Sequence, residues 1–148
     1  VSGEIICFLS SLIKGNSSNK GGGYGNAKRI YQPGAVIKKM RVIDNTAAVN
    51  GGGMYLGGGN LNTSKFYNIL VSGNTAGSAG GGIYLTHSKN RVKFYDTIIS
   101  NNTSPLGGGL YIEHSQPWFE GAIIRDNKAN KGGGIFVYQN QTIIKHVF

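Results

Sequence analysis

The sequence predicts an all-β fold, a right-handed parallel β-helix solenoid of about five coils of 25–30 residues. Glycine triplets stand at 21–23, 51–53, 80–82, 107–109 and 132–134, at intervals of 30, 29, 27 and 25 residues. An asparagine precedes each triplet: Asn16, Asn45, Asn74, Asn102 and Asn127. Eight positions before each asparagine stands Phe8, Ile37, Phe66, Phe94 or Phe119. Three columns kept in register over five copies are the signature of stacked repeats, in which each unit buries its apolar face against the next.

Each copy contains the same elements in the same order. The first is a short run around the aromatic column, Phe8, Phe66, Phe94 and Phe119, whose rings are expected to stack in the core. The second ends at the asparagine, which is preceded at the third position by Ile13, Val42, Val71, Ile99 or Ile124. The third follows the triplet and reads MetTyrLeu at 54–56, IleTyrLeu at 83–85, LeuTyrIle at 110–112 and IlePheVal at 135–137. Short β-branched and aromatic runs bounded by Gly and Asn are strands, and no segment sustains a helical period. About three strands per copy are therefore expected. The right hand follows from the strong preference of parallel crossovers. Asn16, Asn45, Asn74, Asn102 and Asn127 are expected to form an inward ladder, each amide bonding its equivalents in the adjacent coils.

Composition narrows the class. Glycine supplies 25 of 148 residues, more than twice the share of about 7% in an ordinary domain. Its clustering argues against a linker, and the lack of strict spacing excludes collagen. A single cysteine rules out a disulfide framework within the chain. No apolar run reaches the roughly 18 residues that a membrane-spanning helix requires, so no transmembrane segment is expected. The formal charge of +9 is spread along the chain, which favours solubility and a general attraction to acidic polysaccharide over specific nucleic-acid recognition.

The segments IleLysGlyAsn (13–16), ValIleAspAsn (42–45), ValSerGlyAsn (71–74), IleSerAsnAsn (99–102) and IleArgAspAsn (124–127), each followed by a glycine triplet, resemble a known pattern. They are similar to the FxxN and GGA[ILV] repeats of polymorphic outer-membrane autotransporter proteins, and more broadly to right-handed β-helices of the pectin-lyase-like class. The resemblance covers essentially the whole chain. It implies an extracellular or cell-surface setting and a role in adhesion or surface structure.

The residues give little support to catalysis. The six acids are Glu4, Asp44, Asp96, Glu113, Glu120 and Asp126. Asp44 and Asp126 share a column but are separated by about three coils, near 14 Å, too far for a paired-carboxylate mechanism. His87 and His114 share a column without a third metal ligand, and no nucleophile or phosphate-loop motif is present. No catalytic residue, cofactor or metal is expected. A flat threonine row, the feature ice binding would need, is not visible in the sequence.

Sequons occur at Asn16, Asn62, Asn101, Asn102 and Asn140. Asn16 and Asn102 belong to the ladder and are expected to be inaccessible, which leaves Asn62, Asn101 and Asn140 as glycosylation candidates. Residues 1–148 read as one β-helix domain, a segment of a longer repetitive protein or a stacking protomer. The expected function is a structural segment of a fibrous or adhesive extracellular protein, forming homo-oligomers or filaments end to end. The alternative is a pectin-lyase-like β-helix that binds or processes polysaccharide.

Overall fold

The computed structural model describes residues 6–26, 35–57, 64–86 and 92–138, with the backbone alone at 6–9 and 26. Its chain winds through five rungs. The first holds β1 (Ile6–Lys14), β2 (Ser17–Lys20) and β3 (Tyr24–Asn26), and the second β4 (Val36–Ile43), β5 (Thr46–Asn50) and β6 (Met54–Gly57). The third holds β7 (Lys65–Tyr67), β8 (Leu70–Ser72), β9 (Thr75–Ala76) and β10 (Ile83–Thr86). The fourth holds β11 (Lys93–Tyr95), β12 (Ile98–Ser100) and β13 (Leu110–Glu113); the fifth holds β14 (Trp118–Glu120), β15 (Ile123–Arg125) and β16 (Ile135–Tyr138).

Equivalent strands pair in parallel and form three sheets. Sheet A contains β1, β4, β7, β8, β11, β12, β14 and β15; sheet B contains β2, β5 and β9; sheet C contains β3, β6, β10, β13 and β16. Sheet B continues into the last two rungs only as isolated bridges, such as Thr75 to Thr103 and Thr103 to Lys128. The architecture is the expected all-β parallel solenoid. In the third to fifth rungs sheet A is divided into two short strands, so a rung can carry four strands rather than three.

Alternation along each strand decides what enters the core. In β7, β11 and β14 the central Phe66, Phe94 and Phe119 point inward and are almost completely buried. Their rings stack at 4.8 Å between centroids for both adjacent pairs, within the range where aromatic pairs add to area burial. Val42, Val71 and Ile99 form the next inward row, and Met54, Ile83 and Leu110 close the core from sheet C.

Among the described residues, three left-handed positions recur in every rung and turn the backbone. Ser10, Lys39, Asn68, Asp96 and Gly121 occupy the bend within sheet A; Gly15, Asp44, Gly73, Asn101 and Asp126 occupy the corner before the asparagine. The third corner uses the first glycine of each triplet, from Gly21 at φ 69° to Gly132 at φ 64°. Glycine, asparagine and aspartate tolerate this conformation best, which explains all five occupants of the second corner. The other two triplet glycines answer to stacking. A Cβ on Gly81 would lie 2.5 Å from the carbonyl oxygens of Gly108 and Thr103, and one on Gly82 would lie 2.6 Å from that of Gly109.

Two expectations need correction. The register sets Cys7, not Phe8, opposite Ile37, and Leu9 opposite Lys38, with a shift between Cys7 and Leu9. Phe8 therefore falls at an irregularity of β1, and its side chain lies outside the described residues. A threonine row does exist: Ser17, Thr46, Thr75 and Thr103 are in register and exposed on sheet B. It is one residue wide and gives way to Lys128, which is short of the broad flat array that ice binding demands.

Candidate functional site

The asparagine column is the most ordered polar feature of the molecule. Each member follows a left-handed residue, which swings its side chain into the coil. The backbone N–H and the Nδ2 of Asn45 donate to Oδ1 of Asn74 at 2.9 and 3.1 Å. Asn74 donates in the same way to Asn102, at 2.9 Å for both bonds, and Asn102 to Asn127 at 2.9 and 3.0 Å. The second Nδ2 hydrogen reaches a carbonyl of the preceding rung: Ile13 from Asn45, Val42 from Asn74, Val71 from Asn102 and Ile99 from Asn127. Asn16 enters the same chain through two bonds to Asn45 Oδ1. Asn45, Asn74 and Asn102 are fully buried. Asn127 is half-buried, and Asn16 is exposed, contrary to the expected inaccessibility, because no described rung lies on its outer side.

The third glycine of the first four triplets packs on this column. A Cβ on Gly53 would come within 2.9 Å of Asn74 Nδ2, and one on Gly82 within 2.9 Å of Asn102 Nδ2. The two sequence signatures are therefore halves of one contact, formed between successive rungs.

The outer faces carry the remaining chemistry. On sheet A, Tyr67 and Tyr95 stack at 4.7 Å, and the Lys38 ammonium sits 5.7 Å from the Tyr67 ring centre. Beside them, Lys65, Lys93 and Trp118 occupy one register row. On sheet C a second aromatic column runs along the outside. Tyr55, Tyr84, Tyr111 and Phe136 stack at 5.3, 4.9 and 5.4 Å and pack against Ala79 and Leu106 as a satellite core. The Tyr84 hydroxyl donates to Glu113 Oε2 at 2.6 Å, and Thr86 donates to the same oxygen at 3.1 Å. Burial pushes the Tyr84 phenol well above its ordinary pKa, helped by its hydrogen bond and proximity to Glu113. Tyr55 and Tyr111 are raised by burial and then by the Glu113 charge.

The described acids are dispersed. Asp44 lies 3.7 Å from Lys14, and Asp126 pairs with Arg125 at 2.9 Å, both on the exposed second corner. Asp96 occupies the sheet A bend. Glu120 accepts from Trp118 Nε1 at 3.3 Å on a different face from Glu113. Among the described residues no three His, Cys, Asp or Glu side chains converge on one point. His114 is exposed, whereas His87 lies outside the described residues.

Of the glycosylation candidates, Asn101 is exposed at the second corner with φ 55°. Asn62 and Asn140 lie outside the described residues. The satellite tyrosine column was not foreseen, although its signal is present in the Tyr or Phe that recurs two residues after four of the triplets.

No curated protein matches the chain, and no solved structure does. The family model described as right handed beta helix region matches residues 10–147. With its parallel rungs and buried asparagine column, the chain belongs to the right-handed β-helix family.

Proposed function

We propose that this β-helix is a structural segment of an extracellular or cell-surface protein of fibrous or adhesive type, whose ends are covered by further rungs. The observation that carries this reading is the contrast in core coverage along the axis. Inward apolar residues of the middle rungs, such as Val71, Ile83 and Ile99, are fully buried, whereas Ile13 and Tyr24 in the first rung and Ile124 and Ile135 in the fifth are only partly covered. A β-helix stays soluble by capping such surfaces or stacking on them. The resemblance to autotransporter adhesin repeats supports a surface location. The covering rungs belong either to the same polypeptide or to a second copy.

Electron microscopy of the protein from its native source tests the proposal. Filaments or rods with an axial repeat near 24 Å, five rungs at about 4.8 Å each, are the expected result. Discrete monomers with closed ends would refute it.

A second reading, binding of acidic polysaccharide, is favoured by the outer face of sheet A. Lys65 and Lys93 are register neighbours, and Lys38 lies beside Tyr67 on the adjacent outward row. Basic side chains grouped on one outer face attract polyanions. Salt-sensitive retention on immobilised polygalacturonate, absent on a neutral glucan and lost in Lys65→Ala/Lys93→Ala, would promote this reading over the first.

A further inference from the structure

We propose that Asn101 is an N-glycan acceptor, and that the fold withholds this role from Asn102, the asparagine of the overlapping sequon. The inference rests on the extracellular reading above, because the co-reactant is a lipid-linked oligosaccharide diphosphate of a secretory compartment. The transfer forms a bond between asparagine Nδ2 and the anomeric carbon of the first sugar. It breaks the bond from that carbon to the diphosphate oxygen, releases the lipid diphosphate and removes one amide proton.

The acceptor nitrogen must therefore have a hydrogen to lose and open space around it. Asn102 has neither. It is fully buried, and its two Nδ2 hydrogens are committed to Val71 O and Asn127 Oδ1, both at 3.0 Å. A sugar there would sit between rungs spaced by a single strand separation, about 4.8 Å. Asn16 also donates both Nδ2 hydrogens, to Asn45 Oδ1 at 3.0 Å and Lys14 O at 3.2 Å, but it is exposed and water can replace these bonds, so the fold does not exclude it. Asn101 differs from Asn102 on each count. It is exposed, and its left-handed φ of 55° makes it the outward corner immediately before the inward Asn102. Its amide makes no hydrogen bond among the described residues. The equivalent corner of the preceding rung is Gly73, which has no side chain to crowd a glycan.

The sequence places two sequons in overlap, Asn101-Asn102-Thr103 and Asn102-Thr103-Ser104. Transfer to a nascent chain precedes folding, so the transferase can reach either asparagine. A chain modified at Asn102 cannot close its ladder, and the secreted, folded population is thereby restricted to Asn101. Thr103 serves only the first sequon and Ser104 only the second, which makes the two separable without changing either asparagine.

The test is site occupancy in the full chain secreted from a eukaryotic cell that adds N-glycans. Enzymatic deglycosylation in heavy-oxygen water converts each glycosylated asparagine to labelled aspartate, read by peptide mass spectrometry. Label on Asn101 and none on Asn102 is expected. Thr103→Ala and Asn101→Gln should erase it, while Ser104→Ala leaves it in place. Protease resistance of each secreted variant establishes that the comparison is made on folded protein. Label on Asn102 of the folded protein, or an unlabelled Asn101, would overturn the proposal. Protein from the native source that lacks sugar at every sequon, while host-secreted protein carries it on Asn101, would instead refute the extracellular reading and leave the selectivity of the fold intact.

Discussion

Asn74 and Asn16 are the same residue in the same motif with nearly the same partners, yet one is buried and the other is exposed. Asn74 is bonded on both sides: it accepts from Asn45 and donates to Asn102 and Val42. Asn16 is bonded on one side. The difference shows that the value of a ladder residue comes from the groups that would be stranded without it, because only buried groups are denied water as a substitute.

Asn74→Ala is therefore expected to have the largest effect of those considered, about 4 kcal/mol of lost stability. It strands the Asn45 amide and the Val42 carbonyl, each buried group costing about 1–3 kcal/mol. Asn16→Ala should cost less than about 1 kcal/mol, since water replaces its bonds. Urea unfolding of both variants measures the contrast, and equal losses would show that rung position does not matter.

The glycine triplets allow the same comparison by steric means. Gly81→Ala drives a methyl against two backbone carbonyls of the next rung, whereas a Cβ on Gly133 meets its nearest atom, Asn127 O, at 3.1 Å. Overpacking of this kind costs about 1–3 kcal/mol, so Gly81→Ala should lose about 3 kcal/mol and Gly133→Ala far less. A further rung stacked on Gly133 in solution would remove that difference. Thermal unfolding at several protein concentrations would reveal such stacking, because the Gly133→Ala penalty would then grow with concentration.

The smallest expected effect separates the inner and outer aromatic columns. Phe66, Phe94 and Phe119 do not titrate, but the outer phenols of Tyr55, Tyr84 and Tyr111 hold their protons more tightly folded than unfolded. A raised folded pKa contributes stability that is complete below the unfolded value, about 10, and is lost as pH rises toward and through the folded values. Unfolding midpoints should fall above pH 10. Tyr84→Phe should weaken that slope while leaving stability near pH 7 within about 1 kcal/mol. An unchanged alkaline slope would show that Tyr84 titrates alike in the folded and unfolded states, without the burial and Glu113 contact seen here.

These pairs also show what the sequence makes legible. The asparagine and glycine columns were readable because each position accepts essentially one residue: only an amide both donates and accepts along the axis, and only glycine clears the carbonyl above it. The bend within sheet A was not readable. Its occupants, Ser10, Lys39, Asn68, Asp96 and Gly121, share a backbone angle and no chemistry. The Phe8 register failed for a related reason, since a one-residue irregularity in β1 leaves the spacing of the sequence intact while moving its partner to Cys7. Asn101 was legible as exposed from its sequon context, but the commitment of both Asn16 and Asn102 hydrogens required the geometry.

The ladder also has a direction. Among the described residues, Asn16, Asn45, Asn74 and Asn102 each donate to the Oδ1 of the asparagine one rung higher in numbering, so each Oδ1 from Asn45 to Asn127 faces the lower-numbered rung. Side-chain amides aligned in this way add their dipoles along the axis, much as peptide units do in a helix. The chain of Oδ1 acceptors is thus directional, while the second Nδ2 hydrogen of Asn45, Asn74, Asn102 and Asn127 turns back to a carbonyl of the lower-numbered rung. Two copies meeting by a two-fold axis at matching ends would set oxygen against oxygen or N–H against N–H. Only a translational, head-to-tail junction continues the bonds, and such a junction propagates instead of closing.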